Sequence, residues 1–393
     1  MIHPAFILLI GLVCEALVQF SKRSVYWISS ASTPIHYGTL LIGDLVFISL
    51  LAAMLKSISF DRKHKLIIFV FTAITLFTVA MSGPSAAILS IRNTYIWILA
   101  TLLFAVSYKQ NAEGDPASLL IGATKFLSII LIIFAFYQVQ TDYAFEKAWF
   151  ELSGTSLNYD GVTNFGQAAK AFSLMSGPTD FAVFGLFGFS IGIAGRSWTL
   201  KVLGACIILM SGTRGILIAI PAWFLLAFTS VAHVRRNYIL SITAFFTLIF
   251  IFSNELIALL YALPNSRFSL ATLAPRIELW LQLDINKFLT GGGFAANFSS
   301  ENLTDAPTVI DSGLFYLFTE IGAPLTIAVI YLLLSVAQRD LTISRKGVLQ
   351  FFIGVLLVAS IAQIPLQTRL SNFLICLLIY SGIYRAKNVQ TLR

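Results

Sequence analysis

What most constrains this chain is a succession of long apolar runs, several without a single charge. The runs at 66–82 and 348–363 contain no charged residue, and each approaches the roughly 20 residues needed to cross a bilayer core as a helix. Composition supports the same reading. Hydrophobic residues make up 58% of the chain, charged residues 11%, and the mean hydropathy is +0.85. Soluble domains carry about 25% charged residues, so this sequence cannot cover an ordinary aqueous surface. A membrane β-barrel is excluded as well, because barrel strands alternate apolar and polar residues. The first run, Pro4 to Phe20, lacks a basic segment before it and a small-residue exit after it. It therefore reads as a first span that is not cleaved. Cys14, Cys206 and Cys376 lie inside apolar runs without metal-ligand spacing, as small hydrophobes do.

The expected fold is all-α and polytopic, one transmembrane domain over 1–393. The runs predict about twelve helices, at 4–20, 36–55, 66–82, 94–108, 118–139, 178–195, 198–210, 214–232, 238–261, 312–337, 348–363 and 370–385. The seventh is short for a span and contains Lys201. Orientation follows the Lys and Arg bias of the loops. Most of the 26 Lys and Arg residues, including Arg62, Lys63, Lys65, Arg235, Arg236, Arg345 and Lys346, fall in short segments on one side. That side is expected to be cytoplasmic and to hold both termini. The net charge of +8 is then mainly a topology signal. Nucleic-acid binding is not expected, because the basic residues do not gather with aromatics on one soluble face.

Two connections are long, 140–177 and 262–311, and both fall on the outer side. Loops of this length are uncommon unless functional. The first carries Tyr143, Phe145, Trp149 and Phe150; the second contains a helical stretch from Ala274, then Gly291-Gly292-Gly293, then a polar run with Asn297, Asn302 and Asp305. Aromatic, amide and acidic side chains of this kind can stack on and hydrogen-bond a sugar. The triple glycine is followed by no Lys-Ser/Thr and is not a phosphate loop; it lets the chain turn close to substrate or lipid.

Arg214, in Met210-Ser211-Gly212-Thr213-Arg214-Gly215, stands between two apolar helices on the side where arginine is disfavoured. It either snorkels to the interface or offers a fork of donors to an anion, helped by N–H groups at the following helix start. Arg276 follows Pro275, which suits a first helical turn, and shares a helix face with Trp280; it either stacks on that ring or binds substrate. Lys170, Arg92 and Arg369 are further outer cations, each a solvated charge or a site residue. Asp180 follows Lys170 at the start of a helix. Asp311 opens the tenth helix, where aspartate is a favoured cap; beside arginines it can instead take a proton from a hydroxyl. Glu15, Asp44 and Glu320 lie within spans. Such acids are functional candidates unless paired with Lys125 or an arginine.

In order along the chain, Ile91-Arg92-Asn93, Lys170 to Ala182, Met210 to Ala219, Pro275 to Gly293, Asp311-Ser312-Gly313-Leu314-Phe315 and Glu320-Ile321-Gly322 resemble the bacterial O-antigen polymerase and ligase superfamily. The resemblance implies a GT-C-like glycosyltransferase of the bacterial inner membrane. Its donor would be a glycan on undecaprenyl diphosphate, attacked by a sugar hydroxyl without metal or other cofactor. It further implies that Arg214 and Arg276, with Lys170, bind the diphosphate and that Asp311 is catalytic. Arg92, Asp180, Trp280 and Asn297 are possible substrate contacts. Membrane lipid, a flippase and a chain-length regulator are the implied partners. The ligase branch uses a histidine near the tenth helix, and this chain has only His3, His36, His64 and His233; the Asp-Ser-Gly context resembles the polymerases instead. The rival readings are that ligase, transferring finished glycan to lipid A-core, a lipid-linked oligosaccharide flippase or other transporter, and a membrane scaffold without enzymatic activity.

Overall fold

A computed structural model describes residues 2–28, 33–56, 58, 60–82, 91, 95–107, 117–141, 171, 173–175, 177–229, 234–262, 274–281, 289, 291, 313–344, 348–361 and 368–381. Among them the regular structure is entirely helical. The helices are α1 (Pro4–Ile28), α2 (Thr33–Leu55), α3 (Arg62–Ser82), α4 (Ile96–Val106), α5 (Ala117–Gln140), α6 (Pro178–Ala194) and α7 (Trp198–Ser211). They continue with α8 (Arg214–Thr229), α9 (Val234–Ile251), α10 (Ser253–Ala262), α11 (Ala274–Leu281), α12 (Gly313–Ser344), α13 (Val348–Ala359) and α14 (Arg369–Ser381).

Each of the twelve expected segments falls on helix, and α11 is the helical stretch expected within the second long loop. The ninth segment is not one rod. It breaks between Ile249 and Ser253 with a bend of 85°. Among the described residues, two helices have the length and apolarity to cross a membrane, Ser118–Gln140 and Tyr316–Val336, and the bent pair would make a third. Further apolar helical stretches of 10–17 residues are described beside them. The expected order of helices is seen, and twelve full spans are not shown among the described residues. Outward-facing Leu66, Phe69, Leu76, Ile133, Phe136 and Leu225 are exposed. An apolar exterior of this kind suits lipid better than water, as in a helical membrane protein.

The core forms where small residues let helices approach. A Cβ on Gly204 of α7 would lie 2.6 Å from the Gly185 carbonyl of α6, so these two backbones touch directly, as small residues permit in membranes. Ser197 caps α7, its Oγ accepting from Leu200 N at 3.4 Å, and the left-handed Gly212 (φ 59°) ends it. Lys201 does not enter hydrocarbon bare, because its Nζ lies 4.7 Å above the Trp198 ring. Phe187 of α6 meets Phe352 of α13 edge-on at 6.0 Å. The buried Tyr238 hydroxyl of α9 donates to Leu357 O of α13 at 3.0 Å.

Between α8 and α13 the contact is tighter still. A Cβ on Gly354 would fall 2.1–2.4 Å from three atoms of the Trp223 indole, and Trp223 is itself buried. Gly354→Ala is therefore expected to cost about 1–3 kcal/mol by overpacking, read as a lower Tm of the purified protein in detergent. Combining it with Trp223→Leu should recover part of the loss, because residues in contact are not additive. Equal Tm values for Gly354→Ala and the parent would contradict this packing.

Candidate functional site

The chain before α6 is fastened at three points. Ala171 N donates to Met210 O at 3.1 Å. Ser173, at φ 54°, takes Gln138 Oε1 on its N–H at 3.0 Å and donates its hydroxyl to Leu131 O at 2.7 Å. A second fastening comes from the α7–α8 turn. Ser211 Oγ accepts from Thr213 N at 3.2 Å, and Thr213 Oγ1 donates to Pro178 O at 3.1 Å. Leu217 N then bonds Thr213 O at 3.2 Å and opens α8. The starts of α6 and α8 consequently adjoin, one carrying Asp180 in its first turn and the other beginning at the half-buried Arg214. An arginine beside two helix N-termini suits an anionic group.

Arg276 and Trp280 stand four apart on α11. This short helix rests on α10 through buried Ala274 and Ile277, and the Tyr261 hydroxyl donates to Glu278 Oε2 at 3.3 Å. Arg92, Lys170, Asn297 and Asp311 lie outside the described residues.

The first glycine of the triple has a specific partner. Gly291 adopts φ 78°, and a Cβ there would lie 2.7 Å from both Glu320 O and Gly322 N. Gly322 in turn breaks α12 with φ 77° and ψ 163°, two residues before Pro324. Gly291 thus turns against the chain's own broken helix, a contact that the sequence does not reveal. Glu320 is 1% exposed, and its enclosed carboxyl has the Tyr316 side chain beside it, one turn earlier on the helix.

Arg369 is not a loop cation. Its guanidinium reaches Glu15 through Nη2 and Asp44 through Nη1, the latter at 2.7 Å. The guanidinium carbon also lies 4.5 Å above the Phe47 ring. One arginine therefore accounts for two of the three intramembrane acids.

Asp61, His64 and Ser107 form a line that outwardly resembles a nucleophile, base and acid. His64 Nδ1 is 2.7 Å from Asp61 Oδ1 and Nε2 is 2.5 Å from Ser107 Oγ. Ser107 Oγ, however, donates to Leu103 O at 2.8 Å, and neither His64 nor Ser107 has exposed surface. The Ser107 proton is thus committed to a backbone carbonyl and not to His64. The trio ties the start of α3 to the end of α4, with the His64 backbone N–H foremost in holding the Asp61 carboxyl below its ordinary range.

Compared with known proteins, the chain matches no family model, no curated protein and no solved structure.

Proposed function

We propose that the chain is a polysaccharide repeat-unit polymerase. It transfers a glycan from undecaprenyl diphosphate to a sugar hydroxyl of a second lipid-linked repeat unit at the outer face of the bacterial inner membrane. In this reading its helices form a twelve-span, GT-C-like domain with both termini in the cytoplasm. A flippase supplies the donor and a chain-length regulator limits the product.

The observation that carries the reading is the joining of the starts of α6 and α8, which sets Arg214 at a helix N-terminus beside a second one. These two segments are far apart in sequence, and both are pieces of the resemblance. A departing diphosphate gains negative charge, and fixed donors in a site poor in water stabilise that charge best. Arginine suits the task because its planar fork holds phosphate oxygens in pairs. Arg276, carried on α11 from the second long loop, is the second diphosphate ligand, and Lys170 adds a third cation.

A deletion strain complemented with variants tests the reading. Arg214→Ala or Arg276→Ala should reduce polymer by about 10²–10³-fold, the effect of removing one stabilising donor, with protein levels unchanged. Surface glycan of a single repeat unit would remain. Loss of all attached glycan would instead indicate the ligase activity, and lipid-linked units trapped on the cytoplasmic side a flippase. A normal polymer ladder from both arginine variants would rule the proposal out.

A further inference from the structure

Glu320 lies in the first part of α12, two residues before the break at Gly322. Three features set it apart from the other intramembrane acids. Glu15 and Asp44 share Arg369, whereas the enclosed Glu320 carboxyl has the Tyr316 side chain, one turn back, as its hydrogen-bonding neighbour among the described residues. Pro324 has no N–H, so the helix gives the Glu320 carbonyl no donor four residues on. Acceptor atoms therefore accumulate at this point. Finally, Gly291 brings the second long loop onto the Glu320–Gly322 backbone. Enclosing a carboxyl with so little compensation is costly and persists where function requires it. A broken membrane helix is a recurrent place for substrate binding, because its backbone groups are released from the ladder.

A cluster of acceptors needs a ligand that brings donors. A sugar presents them as hydroxyl hydrogens. Tyr316 lies one turn before Glu320, on the same face of α12, and is half-exposed, which marks the direction of approach from the surface.

We infer that Glu320, held at the break in α12, binds the hydroxyl of the acceptor sugar and takes its proton during transfer. This rests on the polymerase reading and assigns it a catalytic carboxylate other than Asp311. In the step, the acceptor oxygen bonds to the anomeric carbon of the donor glycan. The hydroxyl proton passes to a Glu320 carboxyl oxygen. The bond from the anomeric carbon to the diphosphate oxygen breaks, and its electron pair leaves with the diphosphate. No further reactant is required.

The test compares Glu320→Gln, Glu320→Asp, Asp311→Asn and Arg214→Ala in the complemented deletion strain, with membrane abundance and the Tm of each purified full-length protein. Glu320→Gln keeps the side-chain shape and removes the proton acceptor. Multi-repeat glycan should fall by about 100-fold or more, the usual size of a general-base contribution, while Tm and abundance stay at parent values. Glu320→Asp keeps a carboxylate and should restore part of the ladder, a rescue that a purely structural role would not give. Loss in Arg214→Ala with a normal ladder in Glu320→Gln overturns this inference and leaves the polymerase reading standing. Loss in Asp311→Asn with a normal ladder in Glu320→Gln transfers the base to Asp311. A normal ladder in Arg214→Ala undermines the polymerase reading itself. A ladder lost equally in Glu320→Gln and Glu320→Asp, with Tm lowered in both, makes Glu320 a structural residue and also overturns the inference.

Discussion

Arg369→Met is expected to destabilise the protein by about 3–5 kcal/mol, the cost of breaking a buried ion pair from one side. The guanidinium is the shared partner of Glu15 on α1 and Asp44 on α2, and both acids are buried. Methionine has the length to fill the space but cannot compensate two carboxylates. Those charges must then be neutralised by protonation or drawn toward water, and either route separates α1 and α2 from α14. Abundance in the membrane and Tm in detergent should both drop. The triple variant Glu15→Gln, Asp44→Asn and Arg369→Met should recover much of the loss, since replacing a whole buried ionic group is often neutral where breaking it is not. Arg369→Lys should fall between. Two separate nitrogens reach the two acids while the plane lies over Phe47, and one ammonium cannot reproduce that arrangement. An unchanged Tm for Arg369→Met would refute the cluster's structural role.

This cluster shows what the sequence could and could not reveal. Glu15 and Asp44 stand out in apolar runs, and the need for a cationic partner follows from the cost of charge in hydrocarbon. The partner's identity does not follow. Arg369 sits at the edge of a run, where local pattern reads it as a loop residue, and its pairing spans 354 residues. Helix order was legible because each apolar run carries its own signal. The bend is marked only by Ser253-Asn254-Glu255, a polar break too short to divide one apolar run into two. The α7–α8 turn was readable from Ser211-Gly212-Thr213, where Gly212 takes the left-handed conformation. That its Thr213 fastens onto Pro178 was not readable, since one hydrogen bond between distant segments leaves no local trace. Pro324 signalled a disturbance in α12, yet only the folded chain shows which segment packs into the break.

Gly291→Ala tests that contact, and it should reduce polymer by about 100-fold, since a misplacement of about 1 Å can cost that much. Two effects combine. At φ 78° an alanine pays roughly 1–2 kcal/mol that glycine does not. Its Cβ would also lie 2.7 Å from Glu320 O and Gly322 N, both backbone atoms with no rotamer to swing away. Either the loop at Gly291 lifts or the broken helix shifts, and in both cases Glu320 moves relative to the loop that bears Arg276. Gly122→Ala on α5 is the matched control. A Cβ there meets nothing within 4 Å, so the helix should be unchanged or steadier by up to about 1 kcal/mol. A full ladder from Gly291→Ala, with Tm unchanged, would separate the loop from the break and remove the support it gives to Glu320. Loss of polymer with α-helical content intact by circular dichroism would locate the damage at this one contact, where two glycines meet backbone to backbone and no side chain can be inserted.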